Sequence, residues 1–336
     1  MKKISILICF LLAGYFIQAQ EIKELAKGPK SSFRGMDSYK DRVVWVSGSS
    51  GWIGLSKNAG DTWEWFQPKG YEKFDFRDIV AFSAKEALAV SAGSPAVIIK
   101  TKDAGKTWTE VYRNDDADIF LDAVDFAGKQ GYILGDPMDG KFQLLKSTNK
   151  GNTWQDVSEE IILLADEGEA AFAASGSSIQ IIGDWLYIGT GGRVSSLMKR
   201  NKKESKLDVV DVPIWTGQAG TGIFSIDFLN QREGVVVGGN YMDDKNNSNN
   251  ILLTKNGGLS WVKPEVPVGG YRSCVKYISP TMLVATGTSG TDISIDGGNT
   301  WKTISTASYN VISLSKKGKR VLLANSTGGI GYFDIP

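Results

Sequence analysis

Short apolar runs recur along the chain from residue 33 onward, separated by clusters of Gly, Asn, Asp and Ser. The stretch 75–112 is representative: "DFRDIVAF", "EALAVSA", "AVIIKTK" and "TWTEVY", the last pair joined by "DAGK". These runs are too short for helices, and they are rich in β-branched and aromatic residues that alternate with polar ones or run continuously. The pattern predicts four antiparallel strands joined by tight turns.

The turn between the third and fourth strands repeats. "SKNAGDTW" (56–63), "TKDAGKTW" (101–108), "STNKGNTW" (147–154), "TKNGGLSW" (254–261) and "SIDGGNTW" (294–301) share one order: Ser/Thr, any, Asp/Asn, any, Gly, any, Thr/Ser, Trp. Successive tryptophans of this box lie 45, 46, 107 and 40 residues apart, and the long interval holds two units, one without a box. Short strands at this period indicate a propeller. The unit lacking the box is "SIQIIGDWLYIGTGGRVSSLMKRNKKESKLDVVDV" (178–212), where a charged hairpin stands in its place.

Innermost strands fall near Phe33, Phe76, Leu121, Ile179, Phe224, Ser273 and Val311, giving seven units. The last supplies three strands before the chain stops, while "EIKELAK" (21–27) is a strand without a blade. Pairing the two would close the ring and remove an exposed edge. The expected fold is therefore all-β: a seven-bladed β-propeller with boxed hairpins, over residues 20–336 as a single domain. The box has a local explanation, since Asp or Asn accepts turn N–H bonds and Gly takes positive φ. Three of the five boxes carry Asn, so they predict turns and no metal site.

The first residues read differently. Lys2 and Lys3 precede an apolar run, Ile4–Ile17, and then small polar residues, the pattern of a cleaved export signal ending after Ala19. No later stretch is long and apolar enough to span a bilayer. A secreted or periplasmic chain follows, with Cys274 as its one cysteine after cleavage, so it has no internal disulfide. Histidine is absent altogether, which excludes Ser-His-Asp hydrolysis, Cys-His chemistry and His-ligated zinc or haem as ordinarily built. A net charge of +1 with interspersed signs predicts no nucleic-acid partner. No cofactor is implied, because neither a dinucleotide fingerprint nor a haem ligand is present.

The boxed strings resemble the Asp-box, or BNR, repeat of bacterial sialidases, xyloglucanase-type glycosidases and photosystem II stability/assembly factors. The seven units, with "SFRGM" opening the first and a boxed hairpin about twenty residues later, resemble the assembly-factor-like group of secreted bacterial proteins. That resemblance implies a binding scaffold. Sialidases also place an arginine just before the first blade's strand, as Arg34 is here, but Gly-Met follows it and seven units replace that family's six.

Antiparallel strands put boxed turns on one side of the ring and the inter-blade and second-to-third-strand loops on the other. The unboxed side gathers Gly-rich polar loops such as "GDPMDG" (135–140), "GTGGR" (189–193) and "GGNYMDDKNNSNN" (238–250), suited to close approach of a ligand. Arg34, Arg77, Arg193, Tyr241 and Arg272 are the expected ligand-binding residues there, the arginines through forked bonds to a carboxylate or sulfate. The long segment "SEEIILLADEGEAAFAASG" (158–176), partly helix-compatible, is expected to cover this face. It makes Glu169, with Asp122 or Asp136, the carboxylate pair of a second reading, a glycoside hydrolase. The leading expectation is a monomeric scaffold for an unidentified protein or glycan.

Overall fold

A computed structural model describes residues 21–203, 206–315, 317 and 319–335; the leader expected over 1–19 lies outside them. Seven sheets carry the chain, arranged one per blade. Blade one runs Phe33–Tyr39, Val43–Gly48, Ile53–Ser56 and Glu64–Phe66, each strand antiparallel to the next. Blades two, three, four and six repeat this order, with innermost strands Asp75–Ala81, Leu121–Ala127, Ile179–Ile182 and Cys274–Tyr277. In blade seven, Lys23–Lys27 pairs with Gly329–Asp334 as the fourth strand, so the two ends of the chain close the ring.

Blade five departs from four regular strands. Its Thr221–Phe228, Gly234–Asn240 and Ile251–Thr254 are regular, but the outermost position is a lone bridge between Leu253 and Val262. Pro264 stands opposite Ile251 in the continuing register and has no N–H to give, which stops the strand after one pair.

The five boxed turns share one bonding scheme. The leading hydroxyl accepts the N–H of the Gly four residues on, at 2.8–3.0 Å, as Ser56 does from Gly60. The Asp or Asn side chain accepts the N–H four residues beyond itself, at 2.9–3.0 Å, as Asp103 does from Thr107. The box tryptophans do more than cover their own hairpins. Trp108 stands edge-on to Trp45 of the preceding blade, centroids 6.1 Å apart, and Trp301 joins Val235, Val237 and Leu253 of blade five. At these joints box and inter-blade packing are thus one device, with aromatic area buried between the blades.

Around the axis the blades are buttoned together by side chains. Asp37, Asp78, Asp125, Gln180 and Asp227, on the innermost strands of blades one to five, each accept a backbone N–H from the next blade's innermost strand. The donors are Ala81, Val124, Ile181, Phe228 and Tyr277, at 2.5–2.8 Å. Ser273 of blade six donates to the Asn310 carbonyl and Asn310 of blade seven to the Phe33 carbonyl, each at 2.8 Å, completing the circuit.

Candidate functional site

The segment 158–176 is irregular, with turns at 158–160, 167–168 and 173–174, and contains no helix. Its alanines favour a helix, but Glu169–Ala170 instead pairs with Gly191–Gly192 on the unboxed side. The chain then crosses the axis. Ser175 Oγ donates to the Ser273 carbonyl at 2.7 Å, Ser177 Oγ bonds Ser225 Oγ at 2.7 Å, and Gly176 lies against Asp78. A Cβ at Gly176 would sit 2.2 Å from that carboxylate, and its φ is +68°, so glycine is required. Blades two, five and six are thereby linked across the centre, and the channel is plugged.

Below the plug is a cavity of about 620 Å³, lined by Asp37, Asp78, Asp125, Gln180 and Lys276 and rimmed by Phe82 and Lys150 on the boxed side. Burial pushes the Asp125 carboxyl up to about 6, against the backbone bonds it accepts. Burial likewise raises Asp37, Asp78 and Asp227. Lys276 stays above the usual lysine value because Asp227, Asp125 and Asp37 outweigh the effect of its burial.

Above the plug lies the unboxed mouth, and β-bulges set its residues. In blades one, two, three and five the register slips at the top of the innermost strand, at Arg34, Arg77, Asp122 and Phe224. A bulge turns one extra side chain out of the pleat, here toward the neighbouring blades around the axis. In blades six and seven the matching residues are Ser273 and Asn310, whose N–H groups reach Thr286 and Ala324.

Four of the expected residues come together at this mouth. Arg34 is half-buried, and among the described residues it has no hydrogen-bond or ion-pair partner. Burial and the Arg77 cation hold its guanidinium below the usual value, with Tyr271 and Asp75 pulling the other way. Arg77 bonds Asp75 at 2.8 Å and lies over the Phe120 ring. Asp122 is fully buried with neither carboxylate oxygen hydrogen-bonded in regular geometry; burial and then Asp136 hold it well above the usual range. Asp136 is raised by burial while accepting the Ala171 N–H at 2.9 Å.

Beside Arg34 is an aromatic shelf. Phe172 from the plug stacks on Phe224 with centroids 3.9 Å apart, Tyr271 meets Phe224 edge-on at 4.8 Å, and Tyr241 meets both. Tyr241 is half exposed and opens a short 3-10 turn, Tyr241–Asp243, so the expected ligand-binding tyrosine forms the shelf's outer edge.

The remaining expected residues lie elsewhere. Arg272 is fully buried inside blade six, where Nε donates to Asp292 at 2.6 Å and Nη1 to the Tyr271 carbonyl and Ser289 Oγ at 2.7 Å. It falls one position before the bulge site, so it points into its own blade. Glu169 is buried too, accepting the Thr190 hydroxyl and, at 3.0 Å, the Asp166 N–H. One oxygen ties the plug to the loop at Thr190 and the other closes a turn within the plug's own segment at Asp166, which separates Glu169 from Asp122 and Asp136 in role. Arg193 is exposed at the rim, 3.6 Å from exposed Glu167.

A family model described as photosynthesis system II assembly factor YCF48 matches residues 77–166, which span most of blades two and three. Solved structures match over nearly the whole ring. "YCF48 bound to D1 peptide" aligns with a TM-score of 0.66 and 12% identity, covering 96% of this chain and 98% of that one. YCF48 from Cyanidioschyzon merolae aligns with a TM-score of 0.66 and 16% identity, covering 94% and 99%. Over residues 77–166 the chain is thus similar to that assembly-factor family, and along its whole length it has the propeller fold of these structures.

The ring itself is not specific to assembly factors: the WD40 propeller of Doa1 aligns with a TM-score of 0.64 and 11% identity, covering 94% of this chain and 97% of that one. No curated protein matches the sequence. Part of the mouth of this propeller escaped sequence reasoning. Phe172, Phe224 and Tyr271 sit in three different loops or strands, and only Phe224 carried a signal, as the marker of an inner strand aligned with Phe33; the bulges make it the counterpart of Arg34.

Proposed function

We propose that this chain is an exported binding scaffold that holds a protein segment at the unboxed mouth. Arg34 receives an acidic group of that segment, and the exposed edge of Tyr241 with part-buried Phe172, backed by buried Phe224 and Tyr271, takes an adjacent apolar or aromatic side chain. The observation that carries this reading is Arg34 itself: a partly desolvated guanidinium with no counter-ion among the described residues, set beside aromatic surface. Such a cation gains most from an anion supplied from outside. A propeller of the same fold solved with a peptide bound supports a protein segment over a glycan. The Lys2-Lys3 start and apolar run support export.

Selection of a random-sequence peptide display library against the purified protein tests the reading. Enriched peptides should carry Asp or Glu next to an apolar residue, and Arg34→Ala should weaken them by roughly ten- to a hundredfold, the range for a lost hydrogen bond to a charged group. Enriched peptides without acidic residues, or equal affinity for the variant, would refute it.

A further inference from the structure

We propose that the opposite, boxed face docks peripherally on an anionic lipid bilayer through a circlet of basic side chains. The circlet comes from one repeated position. In every blade a residue of the first hairpin gives its backbone carbonyl to an N–H of the neighbouring turn or the chain end, at 2.6–2.9 Å. In five of the seven blades that residue is basic: Arg42, Lys85, Lys129, Arg232 and Lys319, with Asp184 and Thr281 at the other two. The carbonyl bond fixes the backbone and leaves the side chain outward, and all five are exposed. Lys102 and Lys106 extend the circlet from the blade-two box, and Lys150 from the blade-three box.

Cations outnumber free acids on this face. Asp61 is paired with Arg320, Glu86 with buried Lys100 and Asp184 with Lys203, which leaves Asp41, Glu233, Asp103 and Asp296 as carboxylates without an ion pair among the described residues, against eight unpaired cations. Among the described residues, none of the five circlet cations nor Lys102, Lys106 or Lys150 makes an ion pair. The cations crowd one another: Lys102 and Lys150 both act on Lys100 to lower its value, after burial. A near-neutral chain therefore presents a positive face.

The form of the patch favours a membrane surface. The charges come from the first hairpins of five of the seven blades, so they are spread around the ring and not gathered about one point. Basic residues near an anionic bilayer act additively, each contributing about a factor of five in partitioning, and the attraction falls within a Debye length. This inference concerns the face away from the mouth and stands apart from the peptide reading.

Sedimentation with vesicles tests it, using the chain without residues 1–19, since residues 21–335 contain the closed ring. Vesicles of phosphatidylglycerol and phosphatidylcholine are compared with phosphatidylcholine alone. The protein should sediment only with the anionic vesicles and be released by 0.5 M salt, on the order of five Debye-screened contacts being lost. A K85E/K102E/K129E variant should partition at least a hundredfold more weakly, while K69E/K73E/K245E, the same charge change on the unboxed face, should keep most of the binding. Near-ultraviolet circular dichroism confirms that each variant is folded. Equal loss in both variants, unchanged binding in the first, or retention on heparin without vesicle binding would overturn the proposal.

Discussion

In the first blade the bulge residue is Arg34; in the sixth, which has no bulge, the matching residue is Ser273, and Arg272 falls one place earlier. That single step moves a guanidinium from the open mouth into a buried pair with Asp292. The sequence shows both arginines at the start of an inner strand and does not show the slip, because a bulge is set by ladder geometry and leaves no mark on the hydrophobic period. Arg272 then belongs to stability. Asp292→Asn should cost about 3–5 kcal/mol in urea unfolding, as removing one partner of a buried pair does, and a loss below about 1 kcal/mol would contradict the pairing. Asp125 makes a second test. Its carboxyl is raised to about 6 by burial, so the folded state holds the proton more tightly than the unfolded chain does. That contribution is complete below the unfolded value near 4 and is lost as pH rises through about 6. The stability of the wild type relative to Asp125→Asn should therefore fall between pH 4 and 7, by on the order of 2 kcal/mol; a difference constant with pH would contradict it.

Strands and turns were legible from the sequence because each depends on short-range chemistry. The box fixes a hairpin through bonds spanning four residues, and its recurrence fixes the blade count. The closing strand was legible by subtraction, as three strands at one end and one at the other. It should matter energetically: removing residues 21–27 would leave the edge of Gly329–Asp334 unpaired. The truncated chain is expected to melt several degrees lower and to associate with rising concentration in size-exclusion chromatography, as open edges do. An unchanged melting temperature would show that the closure is dispensable. The insertion 158–176 was less legible. Its apolar run allowed a helix, but its bonds are to Thr190, Ser225 and Ser273, residues up to 98 positions away. Such contacts override local propensity and cannot be read from a window of sequence.

For the whole molecule, the ring separates two environments with the plug between them. On the boxed side the circlet of lysines and arginines draws one residue from each of five blades, so along the chain it is diluted among ordinary surface charges; only folding collects it. On the unboxed side Arg34 and the aromatic shelf come from blades one, five and six and from the plug. The sequence placed Arg34, Arg77, Asp122, Asp136 and Tyr241 on that side but missed most of the shelf, since its rings meet only in space. Where a bound segment sits is the decisive observation. A photo-crosslinking residue placed at Tyr241, on the mouth, or at Ile295, on a boxed turn, can be challenged with a display-selected peptide. Crosslinking from position 241 that Arg34→Ala suppresses, with none from position 295, is the expected result. Crosslinking from position 295 alone, or from 241 regardless of Arg34, would contradict a peptide site at the unboxed mouth.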